Sequence, residues 1–151
     1  MNSQSKPSNI KTNRSMPPGK IIPELVYDDL DVAIAWLCEA FGFTERLRIM
    51  DHRSQLVLGE ASIIAKTNPS RLKSTLSDSD WMKLSGREAD HSIMVHIEDL
   101  DVHYEHAIQH GVKVVNPPAD YPYGERQYSV EDIGGHIWTF SQTIDDVDPS
   151  A

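Results

Sequence analysis

The spacing of apolar positions changes several times along this chain, and each change predicts an element. Residues 20–28 (KIIPELVYD) have the short alternation of a strand. Asp31 then reads as a helix N-cap, because Ile34, Leu37, Cys38 and Phe41 follow at i, i+3, i+4 and i+7 on one helical face. Gly42 stands where a left-handed terminator belongs. Strands are expected over 43–50, 54–58 and 61–66, with turns at Asp51-His52-Arg53 and Gly59-Glu60. Residues 67–90 have little strand character and are read as a connector, with a short helix capped by Ser77 or Asp78. The pattern then restarts. His91 to Glu98 alternates, with Ile93, Val95 and Ile97 on one face. Asp101 caps a helix carrying Tyr104, Ala107 and Ile108, and Gly111 ends it. Residues 112–115 form a strand, the Pro-rich stretch from Asn116 to Gly124 a loop, and 125–131 with 136–142 a hairpin turning at Asp132-Ile133-Gly134-Gly135.

This restart is an internal repeat. Asp28-Asp29-Leu30-Asp31-Val32 recurs as Glu98-Asp99-Leu100-Asp101-Val102, and the same shift carries Ile34 to Tyr104 and Cys38 to Ile108. Each half reads β-α-β-β-β, and neither covers its own sheet alone. The predicted organisation is a tail at 1–19, module one at 20–66, the connector 67–90, module two at 91–144, and a frayed acidic end at 145–151. The fold class is α+β. The tail is rich in Ser, Asn, Pro and Lys, a composition that does not offset its ordering entropy.

Composition narrows the partners. Fourteen basic against 23 acidic residues give a net charge of −9, which argues against nucleic acid and against anionic membrane surfaces. No apolar run approaches the ~20 residues of a membrane span. One cysteine, Cys38, forms no internal disulfide, so the chain reads as a cytoplasmic protein. Phosphate loops, dinucleotide fingerprints and nucleophile elbows are absent.

Two βαβββ modules resemble the vicinal oxygen chelate superfamily of glyoxalase I, extradiol dioxygenases, and fosfomycin- and bleomycin-resistance proteins. Three stretches carry the resemblance: Asp29-Leu30-Asp31 running to Phe41-Gly42-Phe43, Val95 to Gly111, and Tyr123-Gly124-Glu125-Arg126 through Gly134-Gly135-His136-Ile137-Trp138-Thr139-Phe140. The resemblance implies a curved mixed sheet with a central cleft, helices on the convex side, and a homodimer. Metal-dependent members hold one divalent ion through a His, Glu or Gln on the first and last strand of each module, where it stabilises charge on two vicinal oxygens. Here those positions fall at or beside Ile22 (Glu24 lies two residues on), near Ile64, near Ser92 (beside His91), and at Thr139. Ile22, Ile64, Ser92 and Thr139 do not make a divalent-ion site, so no metal or other cofactor is expected. Glu24 and a His91 brought in by a bulge would supply two ligands rather than four. His106 and His110, an i, i+4 pair, read with His103 as a solvated helix surface.

Strand parity names the side chains that should see the cleft. Taking Thr139 as cleft-facing and 132–135 as a four-residue turn pairs Tyr128 with Thr139 and Arg126 with Ser141. The expected ligand-binding residues are Glu24, Met94, His96, Arg126, Tyr128 and Thr139. A mutual Glu24–Arg126 ion pair is the structural alternative for those two. The leading functional expectation is a protein binding a small organic molecule without the family metal. The alternatives are a divergent metal-dependent lyase, isomerase or dioxygenase using Glu24 and a shifted His91, and a non-catalytic interaction or regulatory module.

Overall fold

The computed structural model describes residues 14–68 and 91–148. The short helix expected within 67–90, the beginning of the tail, and the last three residues lie outside the described residues. The first module runs β1 (Glu24–Tyr27), α1 (Leu30–Phe41), β2 (Thr44–Ile49), β3 (Arg53–Leu58) and β4 (Ala61–Thr67). The second runs β5 (Ser92–His96), α2 (Leu100–Gln109), β6 (Lys113–Tyr121), β7 (Glu125–Glu131) and β8 (Ile137–Thr143). The strands form two four-stranded sheets of identical topology, β1-β4-β3-β2 and β5-β8-β7-β6. In each, the first and last strands of the module pair in parallel, and the remaining pairs are antiparallel. The repeat read in the sequence is therefore a repeat of architecture. Its shift of 70 carries Glu24 on β1 to Met94 on β5, and these residues pair with Ile64 on β4 and Thr139 on β8.

Both helices begin two residues earlier than expected. The N-caps are Asp29 and Asp99, not Asp31 and Asp101, and each side chain accepts from the backbone N–H three residues on, at 3.2 Å. The reason is burial: Leu30 (6% exposed) and Leu100 (0%) open the helices and anchor them in the core. Asp31 and Asp101 lie in the first turns instead, where their charge complements the helix dipole. Gly42 ends α1 in the left-handed region, as expected.

The Pro-rich stretch after residue 115 is strand, not loop. β6 continues through Pro117 and Pro118 to Tyr121, with irregular register on either side of Asn116. It is the outer strand of its sheet, where missing N–H donors are tolerated.

One core unites the modules. Leu25, Tyr27, Leu56, Ile63 and Ala65 of the first sheet share it with Tyr128, Val130, Trp138 and Phe140 of the second, and with the buried faces of both helices. Phe41, at the end of α1, packs 5.1 Å from Trp138 and 5.0 Å from Phe140, ring centre to ring centre. The helix-bearing face of each sheet thus turns toward the shared core. The opposite faces, called open faces below, point away from it. Among the described residues no strand of one sheet pairs with a strand of the other, so β1 and β5 are both sheet edges.

Residues 14–19, read from the sequence as the end of a loose tail, lie against the first sheet. Pro17 is buried there, and Gln55 and Arg46 donate to the Ser15 and Arg14 carbonyls at 2.5 and 2.8 Å.

Candidate functional site

The open faces are set by the turn between β7 and β8. That turn spans five residues, 132–136, rather than four, so Glu131 pairs with Ile137. Asp132 explains the extra residue. Its Oδ1 accepts from the Gly134 N–H at 2.8 Å and the His136 N–H at 3.0 Å, while its own N–H donates to the His136 carbonyl at 2.8 Å. A side chain that folds back on the following backbone stabilises this turn. The one-residue change inverts the parity expected for β7.

Tyr128 and Arg126 consequently leave the cleft set. Tyr128 pairs with Phe140, is 1% exposed, and shares a hydrogen bond with His103 Nδ1 in the core. Arg126 lies on the helix side, donating to Asp101 at 3.1 Å and Asp120 at 2.9 Å. It does not pair with Glu24, whose partners are Arg53 at 2.7 Å and Lys66 at 3.8 Å. His103 also departs from the solvated reading. Its ring lies tilted against Phe140, 4.1 Å between centres, and burial, with the neighbouring His106 adding to it, pushes its pKa down to about 4. His106 and His110 spend ring N–H groups on the carbonyls of Glu39 and His106.

The inverted parity brings Glu125, Gln127 and Ser129 onto the open face in their place. A hydrogen-bonded chain crosses three strands there. The Tyr123 hydroxyl donates to Gln127 Oε1 at 3.4 Å, Gln127 Nε2 donates to Ser141 Oγ at 3.1 Å, and Ser141 donates to Glu125 Oε1 at 2.6 Å. His96 Nε2 and Thr143 Oγ1 lie 3.1 Å apart, and Ser129 and Thr139 share a bond of 2.8 Å. Hydrogen bonds from Ser141, then Thr143, hold the Glu125 carboxyl below the usual range, so it is anionic at neutral pH. Met94 stands beside this chain, 62% exposed, with Thr139 as its pairing partner. The face therefore offers an apolar thioether, a fixed carboxylate, hydroxyls and one imidazole. The sequence did carry a signal for this register: pairing Tyr128 and Val130 with Phe140 and Trp138 puts four large apolar side chains on the core side together.

On the first module the open face carries Glu24 and Val26 on β1, Arg53, Gln55 and Val57 on β3, and Ile64 and Lys66 on β4. These positions allow the family's metal arrangement to be tested. The first and last strands of the two modules present Glu24 with Ile64 and Met94 with Thr139. Glu24 is already engaged by two cations, Ile64 is apolar, and the Thr139 hydroxyl is bonded to Ser129. One row further along, His96 pairs with Ser141. This donor set does not fit a catalytic divalent ion. The unbroken β5–β8 register leaves His91 outside the strand, so no bulge carries it onto the open face. Among the described residues no group of three or more His, Cys, Asp or Glu is placed to hold a metal.

The Cys38 thiol is pushed up, first by burial and then by Glu45, which argues against a nucleophilic role. No described helix is long and apolar enough to cross a membrane.

Comparison with known proteins bears on this geometry. The chain is similar to TioX from Micromonospora sp. ML1, with 28% identity, a TM-score of 0.66, and coverage of 83% of this chain and 98% of that one. It shares its fold with the fosfomycin resistance protein FosX from Listeria monocytogenes, with 17% identity, a TM-score of 0.63, and coverage of 84% and 94%. A glyoxalase/bleomycin resistance protein/dioxygenase family enzyme from Burkholderia phytofirmans PsJN matches at 16% identity, with a TM-score of 0.63 and coverage of 80% and 94%. No curated protein matches the sequence. The family model of the Glyoxalase/Bleomycin resistance protein/Dioxygenase superfamily matches residues 22–140, and the chain belongs to that superfamily.

Proposed function

We propose that this protein binds a small organic molecule, without a divalent ion, in a cleft that two copies of the chain complete together. The observation that carries the reading is the open face of β5, β8 and β7. Met94 is exposed there beside an ordered polar chain that ends in an anionic Glu125. A few fixed polar groups around apolar surface are what orients a small ligand. Two facts support a second copy. The open faces of the two modules point away from the shared core, so one chain does not bring them together. Both β1 and β5 are edges, available for pairing across copies. The missing donor quartet supports a binding role rather than metal-dependent lyase or dioxygenase chemistry. The net charge of −9 and the single cysteine support a cytoplasmic protein that does not engage nucleic acid.

The test is a thermal-shift screen of a small-molecule panel, with bleomycin and fosfomycin as named members, run in the presence of EDTA. The expected result is at least one compound that raises Tm with EDTA present and loses its effect in Gln127→Ala or Met94→Ala. Stabilisation that appears only with an added divalent ion would overturn the reading.

A further inference from the structure

Every link of the polar chain on the second module's open face points its proton the same way. Tyr123 donates to Gln127, Gln127 to Ser141, and Ser141 to Glu125, with Thr143 as a second hydroxyl on that carboxylate. We infer that the ligand of this face is an organic cation with a planar aromatic body, its ring system on the Tyr121–Tyr123 pair and its ammonium group at Glu125. The inference rests on the binding reading above and names the chemical class that the site takes.

Three observations carry it. First, Glu125 lacks a counter-ion. Glu24, Glu45, Asp120 and Glu131, the other carboxylates on the described strands, pair with Arg53, Arg48, Arg126 and Lys113. Among the described residues Glu125 has no Lys or Arg partner. Its bonds come from the neutral hydroxyls of Ser141 and Thr143, with the His96 imidazole on the far side of Thr143. Hydroxyl bonds keep a carboxylate ionised without cancelling its charge.

Second, the polarity of the chain leaves an acceptor at its end. The donors are spent on one another and polarise successively toward the carboxylate. An ammonium group supplies the N–H donors and the positive charge that such an acceptor matches, whereas a second anion supplies neither. The carboxylate is already held in place, so binding does not have to order it.

Third, an aromatic platform stands beside the carboxylate. Tyr121 pairs with Glu125 across β6 and β7, which puts both on one face with Cβ atoms roughly 5 Å apart. The Tyr121 and Tyr123 rings stack, 5.5 Å between centres and 19° between planes. Tyr123 is 52% exposed, and its hydroxyl is tied to Gln127. Electron-rich rings stack on a further aromatic ring and attract a cation close to them. Lys113 and Glu131, at the far ends of the same two strands, pair with each other at 3.3 Å and add no net charge to the face.

The experiment is isothermal titration calorimetry of the full-length chain at pH 7 with EDTA. The probes are 1-naphthylmethylammonium, 1-naphthylmethanol and 1-naphthylacetate, which share one fused ring and differ in charge, and hexylammonium, a cation without a ring. The naphthyl cation should bind roughly tenfold tighter than the alcohol, and the acetate weakest. Glu125→Gln should abolish the preference for the cation over the alcohol, and Tyr123→Leu should weaken the naphthyl cation severalfold while leaving hexylammonium unchanged. Circular dichroism reports whether each variant is folded, and the ranking of the probes on the wild-type chain stands without any variant. Alcohol or acetate binding as tightly as the cation would overturn the inference, and so would a cation preference that survives in Glu125→Gln. If none of the probes binds while another organic molecule from the thermal-shift screen does, this inference fails and the binding reading stands. If no organic molecule binds, the binding reading itself fails.

Discussion

Tyr27 of the first module donates its hydroxyl to Asp132 Oδ2 of the second, 105 residues away in sequence, at 2.6 Å. The same oxygen accepts from the Trp138 indole at 2.9 Å, and Asp132 is 5% exposed. Gly134 makes room for this contact: a Cβ there would come within 2.5 Å of the Tyr27 ring. Tyr27→Phe should destabilise the chain by about 1–2 kcal/mol, because three other donors still satisfy the carboxylate. Asp132→Asn should cost more, about 2–3 kcal/mol, because an amide N–H placed against the indole N–H leaves a donor without an acceptor. Urea denaturation of both variants checks the order. Equal and negligible effects would show that the modules are joined by apolar packing alone.

Two tyrosines should report alkaline unfolding. Burial, then the charge and hydrogen bond of Asp132, raises the Tyr27 phenol above its ordinary range, and burial, then Tyr104, raises that of Tyr128. A group whose folded pKa is raised contributes stability that is present below the unfolded value, about 10, and is lost as pH rises past it. These two of the five tyrosines should therefore ionise only as the chain unfolds. Tyrosinate absorbance followed alongside circular dichroism measures this, and full ionisation of an intact fold would contradict it.

Acid acts through His103. Its folded pKa of about 4 lies below the ordinary 6.5, so the stability it contributes is present above pH 6.5 and is lost as pH falls toward 4. The loss amounts to roughly 3 kcal/mol at most. His103→Gln should flatten the pH dependence of Tm across that window, while other variants on α2, such as Glu105→Gln, should not. An unchanged slope in His103→Gln would remove His103 from the account.

The repeat makes a paired prediction. Asp29→Ala and Asp99→Ala each remove one cap bond of the same geometry, so each should cost about 1 kcal/mol. Because the caps lie on separate helices, the double variant should show the sum. Thermal unfolding of the three variants tests both statements.

Much of the architecture was legible because it rests on local periodicity. The αL glycine at 42, the Leu37 and Ala107 faces, and the 70-residue repeat each follow from spacing alone. The open-face positions of Glu24, Met94, His96 and Thr139 also followed, since β1, β5 and β8 pair without a bulge. Arg126 and Tyr128 did not, because one extra residue in the Asp132–His136 turn reverses every side chain of β7. The caps were displaced because Leu30 and Leu100 are chosen by burial, which is a tertiary property. The bonds that Arg46 and Gln55 give to the Arg14 and Ser15 carbonyls had no local signal either, since they join residues 32 and 40 positions apart.

Native mass spectrometry of the protein purified without chelator tests the central claim most directly, because it reads assembly and bound ions together. The account predicts a species at twice the 17.0 kDa of one chain, with no divalent ion attached. A monomer at working concentration, or one tightly held divalent ion per chain, would contradict it.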